Sequence, residues 1–393
     1  MYKNIFTAIF FIFSIAVYAQ IKSDKPEDNG FSSERLSYID SVVNTAIANN
    51  NIPGAVVLVG KDNSLVYKKA FGKRSLKPVV EEMTEETIFD MASVTKSVAT
   101  ATAVMILVER GKLTLTDEVR KFIPGFTPYI DEKEKEYHAR IYHLLTHTSG
   151  LPAYTDTHEI VSKYGIPAPA GTIETIAGLK KNSKPGKEFV YSCLGFITLA
   201  EIVKRISGVT IDIFTEREIF NPLGMKNSFY FVPKGKIGLC APTEMRNGEM
   251  IRGVVHDPLA WIQGGISGNA GLFSTGDDIA VFAQMMLNKG EYNGKRILGT
   301  RTVETMSSIY PPVMNAKRGL GWDVDSDYMW HRGDIFKKNC YGHTGFTGTS
   351  LLLVPEHNLF IVVLTNRVHI DSGNGILNLR RSIANIVAAS MTK

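Results

Sequence analysis

Leu36, Ile39, Val43 and Ile47 recur at helical spacing, which predicts a helix ended by Pro53-Gly54. Two apolar runs follow, Ala55 to Gly60 and Leu65 to Gly72. They flank the polar tetrad Lys61-Asp62-Asn63-Ser64 and read as a β-hairpin. Near the other end, Thr349 to Val354 and Leu359 to Thr365 flank Pro355-Glu356-His357-Asn358 and read as a second hairpin. A helix from about Gly375 to Ala389 closes the chain. Hairpins at both ends with helices outside them predict one antiparallel sheet assembled from both termini. The middle is then a mostly helical insertion.

Three interior segments have helical patterns. Ser93 to Arg110 is apolar almost all round, through Val94, Val98, Ala101, Val104, Met105 and Val108, and stops at Gly111. A helix of that kind is buried. Leu194 to Ile206 is amphipathic and stops at Gly208. Asp277 to Asn288 follows Ser274, which stands at the expected N-cap with Asp277 three residues on. No internal repeat or low-complexity tract interrupts this order.

The first residues follow a different pattern. Lys3 precedes an apolar stretch, Ile5 to Val17, broken only by Thr7 and Ser14, and Val17-Tyr18-Ala19 follows. This predicts a signal peptide over residues 1–19, with the mature chain beginning near Gln20 and keeping no membrane anchor. The expected location is periplasmic or secreted. Residues 20–30 read as a polar linker, and 31–393 as the working domain.

The 393 residues are 44% hydrophobic and 21% charged, the composition of a globular protein. Net charge is +5 with both signs mixed and no long basic block, so nucleic acid is not an expected partner. The run Asp131 to Glu136 alternates in sign, as a solvated surface does. Of the three cysteines, Cys240 and Cys340 could bridge, although spacing does not establish it. No CxxC or His-Glu-x-x-His spacing is present, and no metal or cofactor is assigned.

Three motifs can carry chemistry. Ser93-Val94-Thr95-Lys96 puts a hydroxyl and an amine on one face of a helix. Burial disfavours the ammonium, so the expected role of Lys96 is a neutral amine that takes the Ser93 proton. The pattern alone is weak, because Ser390 to Lys393 repeats it in the tail. Pro185 to Cys193 brings Tyr191 to the start of a helix, where a phenol near a lysine can relay a proton. Tyr341-Gly342-His343-Thr344-Gly345-Phe346 precedes a strand, where small residues let backbone N–H groups approach a ligand. His343 is placed to meet a substrate carboxylate or the Tyr191 oxygen. Gly265-Ile266-Ser267-Gly268-Asn269 lacks the last glycine of a nucleophile elbow, so Gly264 to Gly271 reads as a flexible loop near the site. His256-Asp257-Pro258 reads as a structured turn.

In that order, these motifs resemble the serine β-lactamase and penicillin-binding-protein superfamily. The likeness is greatest to the branch with class C β-lactamases, D-alanyl-D-alanine carboxypeptidases and esterases. Phe89 to Lys96, Leu144 to Leu151 and Gly271 to Thr275 support it, and it spans about Leu36 to Val387. The resemblance implies a mixed α/β fold: an antiparallel sheet flanked by helices, plus a mostly helical subdomain over roughly 115–240. Ser93 would be acylated, Lys96 would be its partner, and Tyr191 would assist both half-reactions. Backbone N–H groups of Ser93 and Phe346 would form the oxyanion hole. His343, Thr344, Gly345, Phe346 and Cys193 would meet the substrate, a small acyl compound.

One position departs from the family's pattern. Relatives have Tyr-x-Asn where this chain has Tyr191-Ser192-Cys193. A thiol is a weak substitute for an amide that binds a substrate amide. Esters therefore gain over β-lactams and peptides as expected substrates. The implied activity is hydrolysis through an acyl-enzyme. Acyl transfer to an alcohol or amine would use the same residues, and a non-catalytic binder of cell-wall peptides would need none of them.

Overall fold

The computed structural model describes residues 21–336, 339–369 and 375–392. The predicted signal peptide lies outside these residues. Among those described, no helix is long and apolar enough to cross a membrane.

Both hairpins form. Gly54–Lys61 pairs with Ser64–Ser75, and Ser350–Val354 with Leu359–Leu364. The two hairpins join where Leu359–Leu364 runs antiparallel to Gly54–Lys61, with Val57 opposite Val363. Tyr341–Thr344 adds to the far side of Ser350–Val354. The sheet is antiparallel except at one edge, where Lys22–Ser23 pairs parallel to Ser64 and Leu65.

Strand residues sort by parity into two cores, as a period of two requires. Ala55, Val57, Val59, Leu352, Ile361 and Val363 face the helices Tyr38–Ala48 and Ile376–Ser390. Val56, Leu58, Leu351, Leu353, Phe360 and Val362 face the other way, onto Gly276–Leu287 and the helix that follows Ser93. Cover on both faces explains why these strands are apolar throughout rather than alternating.

Several local expectations change. Residues 21–30 are fastened rather than a free linker: beyond the Lys22–Ser23 pairing, Thr392 N–H donates to the Gly30 carbonyl at 2.8 Å. The cap of Gly276–Leu287 is Thr275, whose side chain accepts from the Asp278 N–H; Ser274 is held instead by Ser228 at 2.8 Å. Cys240 and Cys340 are not joined and sit in different clusters, where burial pushes the thiols up to about 12 and about 11. Helices Thr157–Tyr164, Pro169–Gly178 and Cys193–Ser207 populate the central insertion. Helical packing continues past residue 240, because Ala168 N–H donates to the carbonyl of Ile262, in the helix Pro258–Ile262.

The predicted helix over 93–110 is not uniform. It opens with a tight turn, widens to π geometry over Lys96–Ala101 and becomes α-helical over Thr102–Glu109. The Thr102 hydroxyl donates to the Ser97 carbonyl, five residues back, and the Ser97 hydroxyl donates to the Gly321 carbonyl at 2.6 Å. Widened turns of this kind often mark functional sites.

Candidate active site

Ser93 sits on a forced turn. The strand Phe89–Asp90 pairs with Phe273–Ser274, and the backbone then bends through Ala92 at φ +46°. A left-handed alanine is strained and persists only when its neighbours over-determine it. Asp90 supplies that restraint. One carboxylate oxygen accepts from Ala92 N–H at 2.8 Å and the other from His256 N–H at 2.7 Å. Asp90 is buried, which pushes its pKa up against the pull of these two bonds.

Lys96 is fully buried, and its Nζ donates to Ser93 Oγ at 2.9 Å. It also donates to the Asn269 carbonyl at 2.9 Å and to Cys193 Sγ at 3.5 Å. Three acceptors match the three N–H bonds of an ammonium. Burial alone lowers the lysine pKa, but the potential of Cys193, Tyr191 and Asp257 outweighs it, and the net direction is upward. The expected neutral resting amine is therefore corrected: the charged form is favoured. Burial is legible in the sequence; the ring of acceptors is not.

The loop expected to be flexible supplies one of those acceptors. Ser267, Asn269 and Ala270 are buried, and the Thr100 hydroxyl donates to the Gly268 carbonyl at 2.8 Å. A Cβ on Gly268 would stand 2.0 Å from the Phe196 carbonyl oxygen, so the glycine serves close packing. Asn269 is fixed in turn by Ser267 and Asp257.

Tyr191 is clamped by the Leu144–Leu151 motif. Ser192 N–H donates to His147 Nδ1 at 2.9 Å, and Val190 N–H donates to the His147 carbonyl at 2.9 Å. The imidazole lies over Tyr191 at 4.4 Å between ring centres, and Tyr328 stacks at 5.3 Å. Because Nδ1 accepts, the His147 proton sits on Nε2. Burial holds His147 well below its usual pKa, hence neutral. Tyr191 bonds the Ser93 side chain; burial raises its pKa while the Lys96 charge pulls it down. Arg318, buried and paired with Asp323 at 2.7 Å, lies 5.9 Å from the centre of the Tyr191 ring. Cys193 opens the helix Cys193–Ser207.

The third motif is stitched to the Ser93 turn. The Thr347 hydroxyl donates to the Asp90 carbonyl at 2.7 Å, and the Thr349 hydroxyl donates to the Met91 carbonyl at 2.9 Å. A Cβ on Gly345 would meet Thr349 Oγ1 at 2.2 Å and the Met91 carbonyl oxygen at 2.6 Å, so only glycine fits there. Among the described residues, the N–H groups of Ser93 and Phe346 make no hydrogen bond, which leaves both open to an oxyanion. His343 is buried, and burial holds it neutral. Its Nδ1–H is taken by the Thr344 carbonyl at 2.9 Å, and its ring centre lies 6.0 Å from that of Tyr191. It thus presents Nε2 as an acceptor, which does not suit direct binding of a carboxylate.

Ser93, Tyr191, His343, Thr344, Gly345 and Phe346 line one cavity of about 350 Å³. Lys96 and Cys193 stand behind Ser93. Asp90, His147, Asn269 and Arg318 complete the arrangement without having been assigned roles from sequence. Only His147 gave a signal, its place in the Leu144–Leu151 motif. The described residues contain no group of three or more His, Cys, Asp or Glu able to hold a metal.

A family model described as Beta-lactamase matches residues 39–385. The N-acetylmuramyl-L-alanine amidase of Bacillus subtilis is 34% identical, over 86% of this chain and 82% of that protein. A protein of Salmonella heidelberg, provisionally named D-alanyl-D-alanine carboxypeptidase, is 31% identical over 95% of this chain and 92% of its own length. Among solved structures, the hydrolase EstCE1 superposes with a TM-score of 0.73 at 22% identity, covering 90% of this chain and 99% of that one. At that identity it shares the fold. The octameric penicillin-binding protein homologue of Pyrococcus abyssi superposes with a TM-score of 0.69 at 25% identity, over 89% and 77% of the two chains. Family model, relatives and fold converge: the chain belongs to the beta-lactamase family of serine hydrolase-like proteins.

Proposed function

We propose that this protein is an exported serine hydrolase that forms an acyl-enzyme on Ser93 and cleaves small acyl esters or D-amino-acid amides. The observation that carries the reading is the 2.9 Å hydrogen bond from the buried Lys96 Nζ to Ser93 Oγ. A buried lysine is costly to keep unless it does work there. In this reading Lys96 stays an ammonium and stabilises charge developing on Ser93 Oγ. The serine proton passes to Tyr191 in the molecules where the Lys96–Tyr191 pair has lost one proton. Oγ bonds to the acyl carbon, the carbonyl oxygen is received by the N–H groups of Ser93 and Phe346, and Tyr191 returns the proton to the leaving group. Water then repeats the sequence on the acyl-enzyme.

The names of the two relatives support an amide containing a D-amino acid. Cys193 supports esters, since its thiol faces Lys96 where an amide-binding side chain would be expected. Export rests on the pattern of residues 1–19, which supports a location in the periplasm or outside the cell. The test is turnover by the purified mature chain of an aryl acetate and of a peptide ending in D-alanyl-D-alanine. The reading expects turnover of at least one, ester faster, abolished in S93A. Equal turnover by S93A would overturn it.

A further inference from the structure

We propose that Asp257 is a positioning residue of the Ser93 site: its carboxylate grips Asn269, and Asn269 holds the Lys96 amine against Ser93 Oγ. This rests on the serine hydrolase reading above and adds a residue to its machinery.

The turn His256-Asp257-Pro258 starts the helix Pro258–Ile262, with Asp257 as its cap and Pro258 in the first turn. Asp257 Oδ1 accepts from Ala260 N–H at 2.9 Å, as a cap does. The same oxygen accepts from Asn269 Nδ2 at 3.0 Å, which a cap does not require. Asn269 is fully buried, and its carbonyl accepts from Lys96 Nζ at 2.9 Å. Its Oδ1 accepts from the Ser267 hydroxyl at 2.8 Å, and Ser267 Oγ accepts from Gln263 Nε2 at 3.0 Å. Gln263 Nε2 also donates to the Leu259 carbonyl at 2.8 Å. The bonds close on themselves: both ends of one short helix grip the residue whose carbonyl receives Lys96.

The ring fixes geometry, and its one carboxylate also adds charge. Burial lowers the Lys96 pKa, and the potential of Cys193, Tyr191 and Asp257 raises it past that. Cys193 and Tyr191 stand at the start of the helix Cys193–Ser207, whereas Asp257 acts from a separate element. Arg318 acts on Tyr191, while His147 and His343 beside the pair are held neutral. Around Asp257 itself lie Asp90, Tyr154 and Arg246. The Tyr154 oxygen accepts from Leu259 N–H at 3.1 Å. Arg246 lies over the Trp261 ring and donates to the His256 carbonyl at 2.6 Å. A negative group one residue away from a buried ammonium stabilises it. When the Lys96–Tyr191 pair has lost one proton, Asp257 keeps the remaining one on Lys96. Asp257 thereby makes Tyr191 the base.

The experiment follows phenyl acetate hydrolysis by the full mature enzyme from about pH 6 to about pH 10, and reads the plateau and the position of the rising limb. Rates are expressed per Ser93 titrated with a fluorophosphonate. D257N keeps an oxygen for Ala260 and Asn269 but removes the charge. Its limb should move toward acid by about half a pH unit or more, because the pair gives up a proton more easily. Its plateau should fall by about tenfold, because the proton lost then comes from Lys96 in a larger share of molecules. N269A keeps the charge and cuts the tether. Its kcat should fall by about tenfold, with KM changed far less and the limb in place. E244Q removes a carboxylate 3.1 Å from His256 and should leave limb and plateau unchanged. The position of the limb does not depend on how much enzyme is folded, so an unstable variant cannot imitate the shift. A D257N limb at the wild-type pH, an equal shift in E244Q, or wild-type kcat in N269A would overturn the inference. No ester turnover by the wild type at any pH would instead sink the hydrolase reading, and this inference with it.

Discussion

The imidazole of His147 lies over the Tyr191 ring at 4.4 Å, while its Nδ1 accepts the N–H of Ser192, the next residue along. The same histidine therefore fixes both the plane of the phenol and the backbone that carries it. H147A should loosen Tyr191 without removing it. Steady-state kinetics should show kcat reduced by about tenfold or more, as misplacing a reacting group does, with KM changed far less. A rise in KM at constant kcat would assign His147 to substrate binding instead.

The protonation states make a statement about pH. Lys96 and Tyr191 are both raised, and in the proposed mechanism the reacting form has lost one proton from the pair. The kcat/KM profile should climb with pH above neutrality. His147 and His343 are held neutral by burial, so no limb should lie near the ordinary histidine pKa. A limb near pH 6.5 that vanishes in H343N or H147N would contradict this.

Asp90 should act through the Ala92 turn. D90A leaves the buried N–H groups of Ala92 and His256 without acceptors, at about 1–3 kcal/mol each. Urea unfolding should show a loss on the order of 2–4 kcal/mol, and activity should fall with it. D90N retains one oxygen and should fall between. Full activity in a stably folded D90A would show that the strained turn does not depend on this carboxylate.

Acid should destabilise the fold through two other histidines. Burial lowers His143 and His331 to about 4, so the folded state keeps them neutral where the unfolded chain protonates them. A depressed folded pKa contributes stability that is present above about pH 6.5 and is lost as pH falls toward 4. Each histidine should cost on the order of 1–2 kcal/mol between pH 7 and pH 5. Urea midpoints measured at both pH values should converge in H331Q relative to wild type. An unchanged pH slope in that variant would rule His331 out.

The hairpins were legible because each strand is a short apolar run bounded by turn residues, and burial of both faces makes that run continuous. Ser93, Lys96, Tyr191 and His343 were legible because they arrive as ordered motifs. What stayed hidden depends on partners far along the chain. Asp90 meets His256 across 166 positions, and Lys96 meets Asn269 across 173. The charge of Lys96 was misread for that reason, since periodicity reports burial but not the carbonyl, thiol and phenol around an amine. Gly264–Gly271 looks mobile by composition, yet Gly268 allows close packing against the helix Cys193–Ser207.

Cys193 offers a test of substrate choice. Its sulfur stands 3.5 Å from Lys96 Nζ, in the position where the sequence resemblance implies an amide side chain. C193N should raise amide turnover relative to ester turnover by about tenfold, the worth of one recovered hydrogen bond. Equal changes in both rates would show that position 193 does not discriminate them.

The central claim is that Ser93 is the nucleophile and depends on Lys96. Labelling the mature protein with a fluorophosphonate, followed by peptide mass mapping, tests it most directly. The account predicts one adduct, on Ser93, absent in S93A and slowed by 100-fold or more in K96A, on the order of a lost charge-stabilising partner. An adduct on another residue, or labelling of Ser93 at an undiminished rate in K96A, would contradict it.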